Sequence, residues 1–181
     1  MARKTEKGPL KSTTRSTGPS VRGPRPKVGA PASPKTGGRP RLKVEWADVG
    51  LVPIPKPKEL AALATRVLKA EGQKGTINLV FCEDGMVRKL NRQFRKLDKV
   101  TDVLSFHYGE EEEDAGDIWG EIYIASTQAL KQAPRWKNSF FDELKRLVVH
   151  GSLHLAGYDH MKAKERLTMR TLEDHYLTHG K

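Results

Sequence analysis

The amino-acid sequence predicts an α+β fold, in which one mixed β-sheet of about four strands packs against helices in a single small domain. Short apolar segments rich in β-branched residues interleave with longer segments whose apolar residues recur every three or four positions. The strands are few and short, no internal repeat is visible, and a length of 181 residues suits one domain. We therefore expect a folded domain at residues 41–181 that follows a distinct tail, residues 1–40.

Strand-like patterns occur at four places in the body of the chain. They are an alternating run at Leu42, Val44 and Trp46, a β-branched run at Thr76–Cys82, and shorter apolar runs at Val103–Phe106 and Glu121–Ile124. The acidic run at Glu110–Asp114 separates the last two and predicts a solvated loop.

Two helices are predicted in the first half of the body. The first has an apolar face made of Leu60, Ala64, Val67 and Leu68. In the second, apolar residues recur every four positions after Asp84, which is a candidate N-cap: Met86, Leu90 and Phe94.

Three further helices are predicted in the second half. Residues 126–133 suit a short helix, and residues 162–178 a final one with Leu167, Leu172 and Tyr176 on its apolar face. Between them, Ser139 with Asp142 three residues later resembles a capping box. The apolar face of that helix holds Phe141, Leu144, Leu147 and Val148, and Gly157 is a typical helix stop.

The tail at residues 1–40 carries most of the chain's positive charge. It holds ten Lys/Arg and one acid, a net +9 of the total +11, together with seven Pro, six Gly and nine Ser/Thr. Because the segment has so few large apolar residues, it cannot bury enough surface to offset the entropy lost on ordering, and we expect it to be disordered. A basic flexible arm suits phosphate backbones. A solubilising tail without a partner and a transit peptide are alternatives.

The composition also excludes some classes of protein. No stretch approaches 18 uninterrupted apolar residues, so we expect no transmembrane helix and no membrane partner. No apolar segment of the secretory type follows the N-terminus. The single cysteine, Cys82, cannot form an internal disulfide, which fits a reducing compartment and a cytoplasmic location.

The most informative segment is Val149–His160, which contains three of the six histidines. His150 and His154 are four residues apart on a predicted helix, so their rings project from one face. Gly157 allows a sharp turn that can bring His160 back toward them. Three imidazoles with an open fourth position are typical of a catalytic zinc site. We therefore expect one divalent metal ion, Zn²⁺, on these three residues.

The histidine spacing matches the HExxHxxGxxH signature of metzincin proteases, with one difference. Gly151 stands where the protease has its general-base glutamate. The segment thus has the ligand pattern of a metal-dependent hydrolase but lacks the protease's proton acceptor.

A basic segment lies at the end of the second helix and in the turn after it. Its candidate RNA-binding residues are Arg92, Arg95, Lys96 and Lys99. Arg95 follows the core-facing Phe94, so we expect it at the edge of a buried surface, where a guanidinium could grip a phosphate with two hydrogen bonds. A solvated basic face is the alternative for the others. Ser105 and Asp159 are candidates for contacts that support the metal ligands, although Asp159 could equally cap the turn.

Two segments together resemble the YbeY family of bacterial metal-dependent endoribonucleases that mature ribosomal RNA. The matching residues are Leu90-Asn91, Arg95, Thr101–Phe106, His150-Gly151, Leu153–Leu155 and Gly157–His160. The resemblance covers residues 42–178. This chain departs from the family pattern at Val100 and His107, where proline is usual, and at Gly120-Glu121, where Gly-Asp is usual.

The resemblance implies a function and a set of partners. It implies a single-strand-specific endoribonuclease that acts in late-stage ribosome quality control and in maturation of the 3′ end of small-subunit (16S) rRNA. Arg95 and His150 would be catalytic, with Arg95 in the RNA cleft. The implied partners are small-subunit rRNA, ribosomal proteins and an Era-type GTPase.

Two other functions stay open at this point. The protein could be a zinc-binding ribosome-assembly factor with little nuclease activity. It could also be a metallopeptidase that recruits Glu121 as its base.

Overall fold

The computed structural model describes residues 21–22, 41–108 and 118–178. Within these ranges five strands form one mixed sheet: β1 (Val21–Arg22), β2 (Lys43–Asp48), β3 (Thr76–Cys82), β4 (Val103–His107) and β5 (Ile118–Ala125). Their order across the sheet is β1-β4-β5-β3-β2. β4 and β5 pair antiparallel, and the other neighbouring pairs are parallel.

The described residues also form five α-helices: α1 (Pro57–Ala70), α2 (Asp84–Arg95), α3 (Ser126–Gln132), α4 (Phe140–Leu155) and α5 (Ala163–Thr178). A short 3₁₀ turn at Ala133–Trp136 follows α3. In the described ranges, no helix combines the length and the apolar character that crossing a membrane requires.

The two faces of the sheet bury different helices, because alternate side chains of a strand point to opposite sides. Leu79 of β3 and Ile122 of β5 belong to the larger core, which they share with α1 and α4. Val80 and Tyr123, their neighbours in sequence, belong to the smaller core with α2. Cys82 also lies in the smaller core, and burial raises the pKa of its thiol to about 12. Helix α4, which carries His150 and His154, and helix α2, which ends in the basic segment, therefore cover opposite faces of the sheet.

The predicted α+β fold is confirmed, and the predicted strands and helices are present with small shifts of their ends. The N-cap prediction for Asp84 is wrong, because Glu83 holds that position without a side-chain hydrogen bond and Asp84 is already in the helix. Leu167 is not a core residue, since 69% of it is exposed. Trp46 is 40% exposed because β2 is an edge strand.

Two predictions fall largely outside the described residues. The tail prediction for residues 1–40 can be compared only at Val21–Arg22, whose backbone pairs with Phe106–His107. The acidic run at residues 110–114 lies entirely outside the described ranges.

Candidate metal centre

Helix α4 holds two imidazoles that face each other one turn apart. The helix begins after Ser139, whose side-chain oxygen accepts a hydrogen bond from the backbone N–H of Asp142 at 3.1 Å, as the sequence predicts. His150 and His154 lie four residues apart and leave the same side of the helix. Their Nε2 atoms are 3.1 Å apart, so both rings point at the same small volume.

A glycine turn brings the third imidazole to the same place. Gly157 has a φ of +96°, a conformation that side chains with a Cβ rarely adopt. After this turn the ring centroid of His160 lies 5.4 Å from that of His150 and 5.1 Å from that of His154. The candidate ligand atoms of the three residues all lie within 4.8 Å of one another. The structure thus brings together the three histidines that the sequence singles out.

The outer nitrogens of two of these rings are held by acceptors. His154 Nδ1 lies 2.9 Å from the backbone carbonyl oxygen of Tyr158, which can only accept, so Nδ1 carries the proton. His150 Nδ1 contacts the carboxylate Oε1 of Glu173. Each contact leaves the Nε2 lone pair of a neutral ring free for a metal, and contacts of this kind fix the tautomer of metal-ligating histidines.

Burial keeps His154 neutral. Desolvation, the neighbouring His150 and His160, and the nearby Arg95 guanidinium lower the pKa of His154 to about 3. A neutral imidazole is the form that binds metal. The buried position therefore supplies a ligand that does not have to lose a proton at neutral pH.

A divalent ion fits this arrangement. In their neutral forms His150 and His154 direct two Nε2 lone pairs at each other across 3.1 Å, an unfavourable contact that a cation between them makes favourable. Two nitrogens bound to one tetrahedral zinc at ~2.0–2.1 Å are about 3.3 Å apart, close to the observed separation. The donor set is three imidazoles, which suits zinc and several other first-row ions alike.

Gly151 allows the ligand helix to lie directly on the sheet. A Cβ at this position would come within 2.7 Å of Ile122 Cγ2 and 3.2 Å of both Ser105 Oγ and Val103 Cγ2. The buried Ser105 hydroxyl donates a hydrogen bond to the Gly151 carbonyl at 3.0 Å. Position 151 therefore faces the sheet and has no room for the glutamate of the protease signature. Ser105 fixes the helix backbone beside His150 rather than a ligand ring.

Arg95 lies at the edge of the same site. It is half-buried, as expected from its place after Phe94, and burial lowers the pKa of its guanidinium while Asp159 acts in the opposite direction. Its charge also acts on His154. Arg95 is the last residue of α2, so the C-terminal end of this helix lies near the imidazoles of α4.

The other predicted RNA-binding residues lie on the surface. Arg92, Lys96 and Lys99 are exposed. Lys96 ends α2 in a left-handed conformation, and its Nζ donates a hydrogen bond to the Gln93 carbonyl at 3.1 Å. These three residues form a solvated basic face next to Arg95.

Asp159 serves the turn that positions His160. Its Oδ1 accepts a hydrogen bond from the backbone N–H of His160 at 2.7 Å. Its charge also acts on Arg95. Asp159 therefore stabilises the backbone at His160 and interacts electrostatically with Arg95, rather than holding an imidazole ring.

Glu121 lies on the wrong face of the sheet to act as a base at the histidines. It pairs with Phe106 across the β4–β5 ladder, and its buried carboxylate accepts hydrogen bonds from the hydroxyls of Tyr108 and Tyr123 at 2.9 and 2.8 Å. Tyr108, Tyr123 and Phe106 belong to the core that packs against α2, whereas the imidazoles are carried by α4 on the other face. The hypothesis of a metallopeptidase that uses Glu121 as its base is therefore wrong.

Sequence reasoning missed Glu173, the carboxylate that contacts His150. The signal was available in the spacing of α5, because Met169, Leu172 and Tyr176 mark its inner face and Glu173 lies between them. A charged residue on the inner face of a helix needs a partner.

The comparisons with known proteins point to one family. Residues 53–181 match the family described as Endoribonuclease YbeY. A protein of that name from Desulforamulus reducens is 43% identical over 114 residues, which cover 59% of this chain and 74% of the relative. The relative of that name from Pelotomaculum thermopropionicum is 43% identical over 124 residues, covering 65% and 82%. One from Chlorobaculum tepidum is 40% identical over 119 residues, covering 65% and 84%. The resemblance expected from the two sequence segments is thereby confirmed, and the chain belongs to the YbeY endoribonuclease family.

Proposed function

We propose that this chain is a metal-dependent endoribonuclease that acts on single-stranded RNA. The observation that carries the proposal is the convergence of His150, His154 and His160, whose ligand atoms lie within 4.8 Å of one another beside a half-buried arginine. Zinc is the proposed ion, and the three imidazoles would hold it. When bound it supplies Lewis acidity and an activated water for phosphodiester hydrolysis.

The residues of the chain have separate tasks in this reaction. His150 and His154 hold the ion through Nε2, while Glu173 and the Tyr158 carbonyl keep the protons on Nδ1. Arg95 binds the scissile phosphate and stabilises the charge that develops on it. The exposed basic residues Arg92, Lys96 and Lys99 attract the neighbouring backbone phosphates.

The proposed substrate in the cell is small-subunit rRNA. The relatives are named endoribonucleases, and family membership supports a role in maturation of the 16S rRNA 3′ end and in late-stage ribosome quality control, in the cytoplasm. Ribosomal proteins and an Era-type GTPase are the proposed protein partners. The tail at residues 1–40, with its net charge of +9, is proposed to contribute RNA affinity.

A cleavage assay tests the proposal. Purified full-length protein should cut a single-stranded RNA, leave the matching duplex intact, and lose activity with a chelator and on His154→Ala. Arg95→Ala should lower turnover about 10²–10³-fold while zinc content is unchanged, because one donor to the transition state is lost.

Arg92→Ala is the matched control, since it removes an exposed arginine three residues away on the same helix. It should weaken RNA binding slightly and leave turnover intact. Zinc-loaded protein that cuts no RNA would instead support the zinc-binding assembly factor.

A further inference from the structure

A row of buried charged residues continues from His150 along α4. Glu143, Arg146 and His150 follow one another at spacings of three and four residues, so they share one side of the helix. Arg146 is 6% exposed and Glu143 is fully buried. The guanidinium donates to Glu143 Oε1 through Nε at 3.0 Å and through Nη2 at 2.7 Å. The Asp102 carboxylate lies 3.5 Å from the same guanidinium.

Glu173 of α5 joins this row to the metal centre. Its side chain is 16% exposed and its Oε1 contacts His150 Nδ1. Its charge acts on Arg146, whose pKa is raised because the neighbouring carboxylates outweigh the effect of burial. Glu173 therefore contacts the imidazole of His150 directly and lies close enough to the buried guanidinium for their charges to interact.

Helix α5 is also connected, through a second set of hydrogen bonds, to the turn between α4 and α5 that carries Tyr158 and His160. The Glu71 carboxylate, just beyond α1, accepts hydrogen bonds from the Tyr176 hydroxyl at 2.5 Å and from the Tyr158 hydroxyl at 2.9 Å. Tyr158 is also the residue whose carbonyl holds His154. Polar contacts of α5 thus reach His150 directly, through Glu173, and reach the segment that holds His154 indirectly, through Glu71 and Tyr158.

We propose that Glu173 is a positioning residue of the metal centre. It fixes the His150 ring so that Nε2 faces the ion. The inference rests on the proposed metal centre but not on RNA cleavage. It gives α5 a role in metal affinity, although α5 contributes no ligand.

Zinc affinity measured by competition with a chromophoric chelator tests the proposal on full-length protein stripped of metal. Glu173→Gln should weaken Zn²⁺ binding about 10–100-fold, the usual effect of losing a carboxylate partner of a ligating histidine. Glu173→Asp should recover part of the loss, because it keeps the charge on a shorter side chain. Asp174→Asn is the matched control, since it removes a charge from the adjacent, exposed position and should leave the affinity unchanged.

Nitrogen-15 NMR of the histidine rings adds a second readout, which can be made on the wild-type protein and on Glu173→Gln. In the zinc-loaded wild-type protein, His150 should carry its proton on Nδ1, shifted downfield by the carboxylate. In Glu173→Gln that proton signal should move upfield, while the thermal unfolding of the zinc-free protein stays close to that of the wild type.

Wild-type zinc affinity in Glu173→Gln, equal losses in Glu173→Gln and Asp174→Asn, or a His150 that lacks the Nδ1 proton would each overturn the proposal. The outcome is separable from that of the nuclease proposal. A protein whose zinc affinity depends on Glu173 but which cuts no RNA would contradict the nuclease activity and leave this inference standing.

Discussion

Helices α4 and α5 have the same length, 16 residues, but are attached to the body in different ways. In α4 the residues from Val148 to Leu155 are all buried, and the helix lies on the sheet at Gly151. All of α5 is described, and Met169 is its one buried residue. α4 is held by apolar packing and by its buried charged residues, whereas α5 contacts the body through Met169 and a few partly buried apolar residues together with the polar contacts of Glu173 and Tyr176. The ligand helix is thus built into the core, and the supporting helix is attached at its surface.

The ligands His150 and His154 therefore lie on a helix whose inner turns are fully buried, whereas Glu173 lies on a helix with a single buried residue. Substitutions in the two helices should therefore have effects of very different size on folding stability.

The largest loss of stability is expected from Arg146→Met in α4. Removing the guanidinium leaves the buried carboxylates of Glu143 and Asp102 without their cationic partner, which typically costs about 3–5 kcal/mol of unfolding free energy. Chemical denaturation of metal-free protein measures the change. Lys145→Met is the control, because Lys145 forms a partly exposed pair with Asp142 at the surface, and such pairs are worth about 0–1 kcal/mol. Similar losses in both variants would show that the buried row does not hold α4.

A smaller loss is expected from Gly151→Ala. The added Cβ meets Ile122 Cγ2 at 2.7 Å and must push α4 away from the sheet, at a cost of about 1–3 kcal/mol. Gly85→Ala in α2 is the matched control. Its Cβ meets nothing within 4 Å, so the better helix propensity of alanine should raise stability by up to about 1 kcal/mol. Stabilisation by both substitutions would contradict the close contact at Gly151.

The smallest effect is expected from Leu167→Ser on the outer side of α5. Leu167 is 69% exposed, and substitutions at such positions usually change stability by less than about 0.5 kcal/mol. Thermal unfolding of the zinc-loaded protein measures it. A clearly larger loss would show that the outer side of α5 is covered in solution, which would remove the contrast with α4.

Much of the fold could be predicted because local patterns and tertiary packing agree. The strand at Thr76–Cys82 and the face of Leu144, Leu147 and Val148 are predicted from periodicity alone, and each of those positions lies in or beside the core. Leu167 shows the limit. Helical spacing places Leu167 on an apolar face. In the structure, however, α5 packs against the core through a narrow face that contains Met169 and Tyr176, and Leu167 lies outside this face in solvent.

At the site, the sequence could predict residues that lie close together but not those that meet across the fold. The three histidines are found within eleven positions, so their spacing is informative. Glu173 lies 23 positions from His150, and only the docking of α5 joins them. Glu121 illustrates the opposite error, in which a residue is assigned to the site but lies away from it. Its carboxylate suits a general base, but the alternation of side chains along β5 places it on the sheet face opposite to the histidines.

Metal analysis of four proteins tests the central claim, that His150, His154 and His160 together hold one divalent ion. Full-length wild-type protein and the three single His→Ala variants are loaded with zinc, desalted and assayed for zinc per chain. We predict about one ion per chain in the wild type and a large loss in each variant, because two imidazoles alone make an incomplete zinc site. Full zinc content in all three variants would place the ion elsewhere and contradict the account.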